Sequence, residues 1–208
     1  MAETLVVIGA GGHAKVVIEA ALASDPSRQI VIVDDGPDAR NRTILGFHVS
    51  GDRTWLETNL PGSPVALGIG ENSARLAVLE WLEAGGWPLE TIVHPSAVIG
   101  ATAAIGDGSF LAAGSIVIAD TRVGRAVIVN TSASVDHDCE IGDAAHIGPG
   151  AHLCGAVRVG ARTLIGVGSA VRPGVSIGSD VIVGAGSSVV CDLSDGGRFA
   201  GSPARPIV

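Results

Sequence analysis

The sequence predicts an α/β Rossmann-like unit over residues 1–90, followed over residues 91–208 by a parallel β-helix built from hexapeptide repeats. Three observations predict it. Strand-length apolar runs alternate with helix-spaced stretches up to about residue 90; an aliphatic residue then recurs at every sixth position; and 30 of 208 residues are Gly while Tyr is absent and Phe and Trp number three each. A core drawn from this composition is made of Val, Ile, Leu and Ala.

Thr4 to Ile8 reads as a buried strand, because its apolar run is continuous and too short for a helix. The turn Gly9-Ala10-Gly11-Gly12-His13-Ala14-Lys15 follows, and Val16, Val17, Ala20 and Ala21 then share a helix face. Gln29 to Val33 is a second strand ending in Asp34-Asp35, Pro64 to Leu67 a third, and Ser73 to Ala84 a second helix. A glycine-rich turn between strand and helix aims backbone N–H groups at phosphate, at the positive end of the helix dipole. Asp34 and Asp35 lie about twenty residues on, as a ribose contact requires, but the half-domain is too short for a full dinucleotide. His13 and Lys15 are expected to extend polar reach toward the phosphate.

From Val93, steps of six give Val93, Ile99, Ile105, Leu111, Val117, Val123, Val129, Val135, Ile141, Ile147, Leu153, Val159, Ile165, Val171, Ile177, Val183 and Val189. No helix has a period of six. One repeat is a short strand plus a turn, and three repeats close an eighteen-residue coil around a narrow prism. Between five and six coils at about 4.8 Å each give a prism roughly 27 Å tall. The fifth position is small or β-branched, as in Ala97, Ser109, Thr121 and Ala145, and Gly follows the aliphatic at Gly100, Gly106, Gly124 and elsewhere. Gly is expected there to relieve crowding at bends. The amino-terminal domain is expected to cover one end of the prism, and Leu193 to Val208 to trail off the other.

The net charge of −8, with no Lys/Arg cluster, argues against duplex nucleic acid or an anionic bilayer as partner. Apolar runs fall far short of the roughly 18 residues of a membrane span, and the start MAETLVVIGAGG lacks the basic region of a signal peptide. A cytoplasmic protein is expected. Cys139, Cys154 and Cys191 are odd in number and lack C-x-x-C spacing, which fits reduced thiols.

The repeat VGAGSS and its relatives resemble those of the left-handed parallel β-helix acyltransferases. Within these, GAGGHAK, IVDD, HPSAVIG, SVDHDCEIGDAAHIGPGAHLCG and GSPARPI make the chain similar to the family of sialic-acid O-acetyltransferases and nucleotide-aminosugar N-acetyltransferases. The resemblance covers essentially the whole chain. Left-handed winding, a homotrimer and acetyl-CoA as co-substrate are what it implies. No metal is expected: a three-histidine zinc site needs convergent rings, and no such trio stacks here.

His137 is the expected catalytic base. Its stacked neighbours, Ala119 and Gly155, are small and leave room for a ligand beside the imidazole; without the resemblance it reads as a solvated turn residue flanked by acids. By resemblance Asp138 orients the ring, although Asp136 could do so, and the Gly155 N–H meets the thioester oxygen. His146 stacks in an otherwise apolar column between Ile128 and Leu164, where a polar ring needs a reason. Nine residues separate it from His137, half a coil, so the two can meet only across neighbouring prisms. The resemblance gives His146, Ile165, Gly166, Ala185, Pro203 and Arg205 to the acetyl donor. It gives Gly11, Gly12, His13, Lys15, Asp34, Asp35 and Gly70, with the Asn72 and Arg75 region, to the nucleotide, and Asn130 to the acceptor sugar. The implied reaction acetylates the 4-amino group of a nucleotide-linked 4-amino-4,6-dideoxy sugar, UDP- or GDP-linked. The alternative is O-acetylation of sialic acid or a related sugar hydroxyl.

Overall fold

The computed structural model describes residues 4–207. In chain order the first part contains β1 (Thr4–Ile8), α1 (Gly12–Ser24), β2 (Gln29–Val33), β3 (Thr43–Ile44), β4 (Phe47–Gly51), α2 (Arg53–Asn59), β5 (Val65–Leu67) and α3 (Asn72–Ala84). The sheet order is β3-β4-β2-β1-β5, parallel except for the β3–β4 hairpin. The chain moves from β1 to β2 on one side and places β5 on the other. That reversal opens a crevice at the carboxyl ends of β1 and β5, where α/β sheets bind ligands.

Seventeen two-residue strands, β6 (Ile92–Val93) to β22 (Ser188–Val189), then follow at six-residue intervals. Each pairs in parallel with the strand eighteen residues away, as in Ile116↔Ser134 and Ser134↔His152, so that three sheets form a prism. The aliphatic column points inward, and from Leu111 to Val189 every member is at most 4% exposed. Hydroxyls at the fifth position are also internal. Ser109, Thr121, Thr163 and Ser169 each donate to a carbonyl fifteen residues on, at 2.6 to 3.0 Å, which satisfies them inside an apolar column.

The glycines after the aliphatic position are there for a different reason than bending. A Cβ at Gly106 would lie 2.5 Å from the Gly124 carbonyl, and one at Gly160 would lie 2.4 Å from the Ser179 nitrogen, so stacking of coils requires Gly. The left-handed corners fall two residues later and are often not Gly: Asp120, Ala126, Asp138, Ala144 and Arg162 have φ between 52° and 59°.

The amino-terminal domain does not cover the prism's end. It packs on a flank, where the outward Ile92, Phe110 and Ile128 join Val17, Ile18 and Ala21 in one core. The first coil is therefore open, with Val98 54% and Ile99 38% exposed. The carboxy-terminal segment does not trail off. β23 (Arg198–Ala200) continues the sheet from β21 (Ile182–Val183), β24 (Arg205–Pro206) folds back on it, and Leu193, Phe199 and Ala204 close the prism core. Among the described residues no helix is long and apolar enough to cross a membrane.

Candidate active site

His137 stands on the corner after β13 (Ser134–Val135), at the vertex between two prism sheets. Its Nδ1 lies 2.7 Å from Asp138 Oδ2, while Asp136 Oδ1 accepts from the His137 backbone N–H at 2.9 Å. Asp138 is thus the ring's partner. A carboxylate only accepts, so Nδ1 carries the hydrogen and Nε2 presents its lone pair, the tautomer of a base. The hydrogen bond that the ring donates to Asp138, then the charge of Asp136, holds the imidazole pKa above 6.5. The ring lies over Gly155: a Cβ there would come within 2.5 Å of His137 Cε1. The Gly155 N–H has no acceptor among the described residues, which leaves a donor beside the base.

At the β1/β5 crevice, a cleft of about 360 Å³ is lined by Gly9 to His13, Asp34, Arg42 and Gly68 to Glu71. Nothing lies within 4 Å of a Cβ at Gly11 or Gly12, and Gly11 caps α1 without a side-chain acceptor, so the first N–H groups of the helix face open space. Asp34 is spent on structure, accepting from the Ala10 and Gly36 N–H groups at 2.6 and 2.8 Å. Asp35 is paired with Arg53, at 2.6 Å from its Nε. A second hollow of about 320 Å³ adjoins through Gly9, Asp34 and Ile69 and is floored by Ile8, Ala77 and Val78.

His13 lines the glycine-rich cleft with a half-buried ring. Its ring packs T-shaped with Phe110, 5.2 Å between centroids, and burial, then the charges of His146 and Arg75, lowers its pKa to about 3, so it stays neutral. Lys15 is exposed on α1 and lines none of these clefts. Arg75, expected near the nucleotide, is 1% exposed and turned into the domain junction.

That junction holds a third cleft of about 240 Å³, lined by Gly70, Glu71, Asn72, Ser73, His146, Arg162, Leu164, Asp180 and Ile182, and continuous with the glycine-rich cleft through Gly70 and Glu71. Asn130 Nδ2 donates to His146 Nε2 at 2.9 Å. Burial lowers the His146 pKa to about 4.

Residues 4–82 match the family of the PglD N-terminal domain. Over 116 residues the chain is 35% identical to the UDP-N-acetylbacillosamine N-acetyltransferase of Bacillus subtilis (strain 168), a match spanning 53% of this chain and 52% of that protein. The acetyltransferase domain of PglB from Neisseria gonorrhoeae FA1090 is 41% identical with a TM-score of 0.92, covering 99% of this chain and 100% of that one. The same domain has been solved with acetyl coenzyme A. PerB from Caulobacter crescentus, solved with CoA and GDP-perosamine, is 40% identical with a TM-score of 0.91, covering 99% and 97%. The chain belongs to the β-helical nucleotide-aminosugar N-acetyltransferase family.

For this N-acetyltransferase family member, the positions given by resemblance to the acetyl donor divide. Ile165 is 0% exposed and faces the prism interior, so its side chain cannot flank a ligand. A Cβ at Gly166 would lie 2.5 Å from the Val183 carbonyl, so that Gly serves coil stacking. Ala185, Pro203 and Arg205 are exposed. His152 and His146 stand on different sheets, and the His152 Nδ1 bonds Ser134 Oγ at 2.8 Å. Sequence reasoning missed Arg42 and Glu71 in the glycine-rich cleft, and the Arg162–Asp180 pair at 2.6 Å on the junction cleft. Arg42 sits in a stretch without periodicity. The signal for Arg162 was its recurrence on the corner column of Ala126 and Ala144.

Proposed function

We propose that the chain is an acetyl-CoA-dependent N-acetyltransferase acting on the 4-amino group of a nucleotide-linked 4-amino-4,6-dideoxy sugar, at sites shared between protomers of a homotrimer. The observation that carries this reading is the His137–Asp138 pair set over a free Gly155 N–H, on the vertex opposite the sheet that bears the nucleotide clefts. In a triangular prism a vertex faces away from the opposite side, so one protomer cannot bring its own cleft to its own His137. A neighbouring prism supplies the missing half.

The three adjoining clefts suit one extended ligand. The apolar hollow takes the base, the open N–H groups of α1 take the diphosphate, and the junction cleft carries the sugar past Asn130 and His146. The amine then faces His137 of the next protomer. His137 Nε2 takes a proton as the amine nitrogen attacks the thioester carbonyl; the Gly155 N–H donates to the oxyanion; the C–S bond breaks and the imidazolium returns its proton to the leaving thiolate. Ala185, Pro203 and Arg205 are the positions offered to the acetyl donor, while His146, bonded to Asn130 in the junction cleft, goes with the sugar instead. A cytoplasmic location goes with this donor and with the three unpaired thiols.

Labelled acetyl-CoA is incubated with UDP- and GDP-linked 4-amino sugars and with free sialic acid, and products are read by mass spectrometry. The expected product is a hydroxylamine-resistant amide, and His137→Ala is expected to lower its rate by roughly 100- to 10,000-fold. A hydroxylamine-labile ester, or an unchanged rate in His137→Ala, contradicts the reading.

A further inference from the structure

Arg75, on the first turn of α3, is the bulkiest fully buried side chain among the described residues, yet none of its hydrogen-bond partners is a carboxylate. Its Nε donates to the Ala126 carbonyl at 2.7 Å. Nη1 donates to the Ile69 and Gly70 carbonyls at 3.1 and 3.0 Å, and Nη2 to Ala144 O and Asn72 Oδ1, both at 2.8 Å. Burial lowers its pKa to about 10, so it remains a cation at neutral pH. A buried cation hydrogen-bonded only to neutral groups, with the charge of Glu71 nearby but unbonded to it, is costly, and an apolar side chain would join two domains more cheaply.

The partners show what the cation specifies. Ile69 and Gly70 form a wall of the phosphate cleft, and Gly70 also lines the junction cleft. Ala126 and Ala144 are left-handed corners of two successive coils, with φ of 52° and 53°. Asn72 extends the series, its Nδ2 donating at 2.8 Å to the carbonyl of Arg162, the same corner one coil further on. Three stacked corners are thus gripped from α3, and the cleft wall is tied to the same fork. A guanidinium reaches in several fixed directions at once, which an ammonium cannot do.

We propose that Arg75, braced by Asn72, is the positioning residue that sets the nucleotide cleft in register with the prism, and so governs acceptor binding without itself touching substrate. The kinetic half of this proposal rests on the function proposed above. The Arg75→Lys and Asn72→Ala variants test it with two readouts. In steady-state kinetics, Arg75→Lys is expected to raise KM for the nucleotide sugar about tenfold, with KM for acetyl-CoA within about twofold of its starting value. Asn72→Ala is expected to move the same way by less. A merely structural lesion would raise both KM values together or lower kcat alone, and either result overturns the proposal, as does a wild-type acceptor KM in Arg75→Lys. Hydrogen–deuterium exchange reads the clamp without substrate: in Arg75→Lys, exchange is expected to rise in segments 66–71 and 142–146 together. Unchanged exchange overturns the proposal even if no nucleotide sugar is turned over, and that latter failure counts against the proposed activity alone.

Discussion

At the scale of single residues the proposed site turns on His137, Asp138 and Gly155, gathered at one vertex. The setting of His137 was legible because period eighteen places it between Ala119 and Gly155, small enough to leave room for a ring. Which of its two flanking acids holds it was not, since both are adjacent in sequence and only the rotamers separate a ring contact from a backbone contact. The neutrality of His13 was not legible for a related reason: Phe110, against which its ring packs at 5.2 Å, is far away in sequence. The contact with Gly155 gives a sharp expectation. Gly155→Ala places a methyl within 2.5 Å of the His137 ring, which has to swing away. A shift of about 1 Å in a catalytic group costs on the order of 100-fold, so kcat is expected to fall by that order while thermal stability stays close to wild type. Wild-type kcat in Gly155→Ala contradicts the placement of the ring.

At the scale of elements, strands β1, β2 and β5 and helices α1 and α3 are legible because each carries a long run of one period. The β3–β4 hairpin and α2 are not: two-residue β3 is too short to show alternation, its turn uses Leu45 at φ 50°, and α2 depends on Asp52 accepting from the Trp55 N–H at 2.8 Å. The junction between α1 and the prism carries a pH signature. His13 and His146 are buried neutral, with pKa values of about 3 and about 4 against 6.5 when unfolded. Below pH 6.5 the unfolded chain binds protons that the folded chain refuses, so stability falls with falling pH through the window from 6.5 to about 4, by at most about 1.4 kcal/mol per pH unit per proton. At pH 7 neither group contributes. Melting temperature is expected to drop between pH 7 and 5, and less steeply in His146→Gln; an equal slope in the variant would show that this ring is not the one resisting protonation.

At the scale of the whole molecule, the prism is the most legible part, since every coil solves the same packing problem and so repeats the same residue types. Its surroundings are less so. Ile92, Phe110 and Ile128 look like ordinary strand residues, and nothing local says that their outward faces carry a domain. Leu193, Phe199 and Ala204 close the far end outside the six-residue period, which hides them from a periodic search. In the proposed reading the flank position matters most, because it sets the clefts on the sheet opposite the His137 vertex, so that a solitary protomer would hold only half of each proposed site. Mixing two disabled variants tests this directly. His137→Ala keeps its cleft and lacks the base; Gly12→Glu keeps the base and sets a carboxylate where the diphosphate would lie. Each is expected to be inactive alone. Unfolded and refolded together in equal amounts, they are expected to regain activity on the order of a quarter of wild type, the share of interfaces that pair a sound cleft with a sound base. A mixture as inactive as its components would contradict a site shared between protomers.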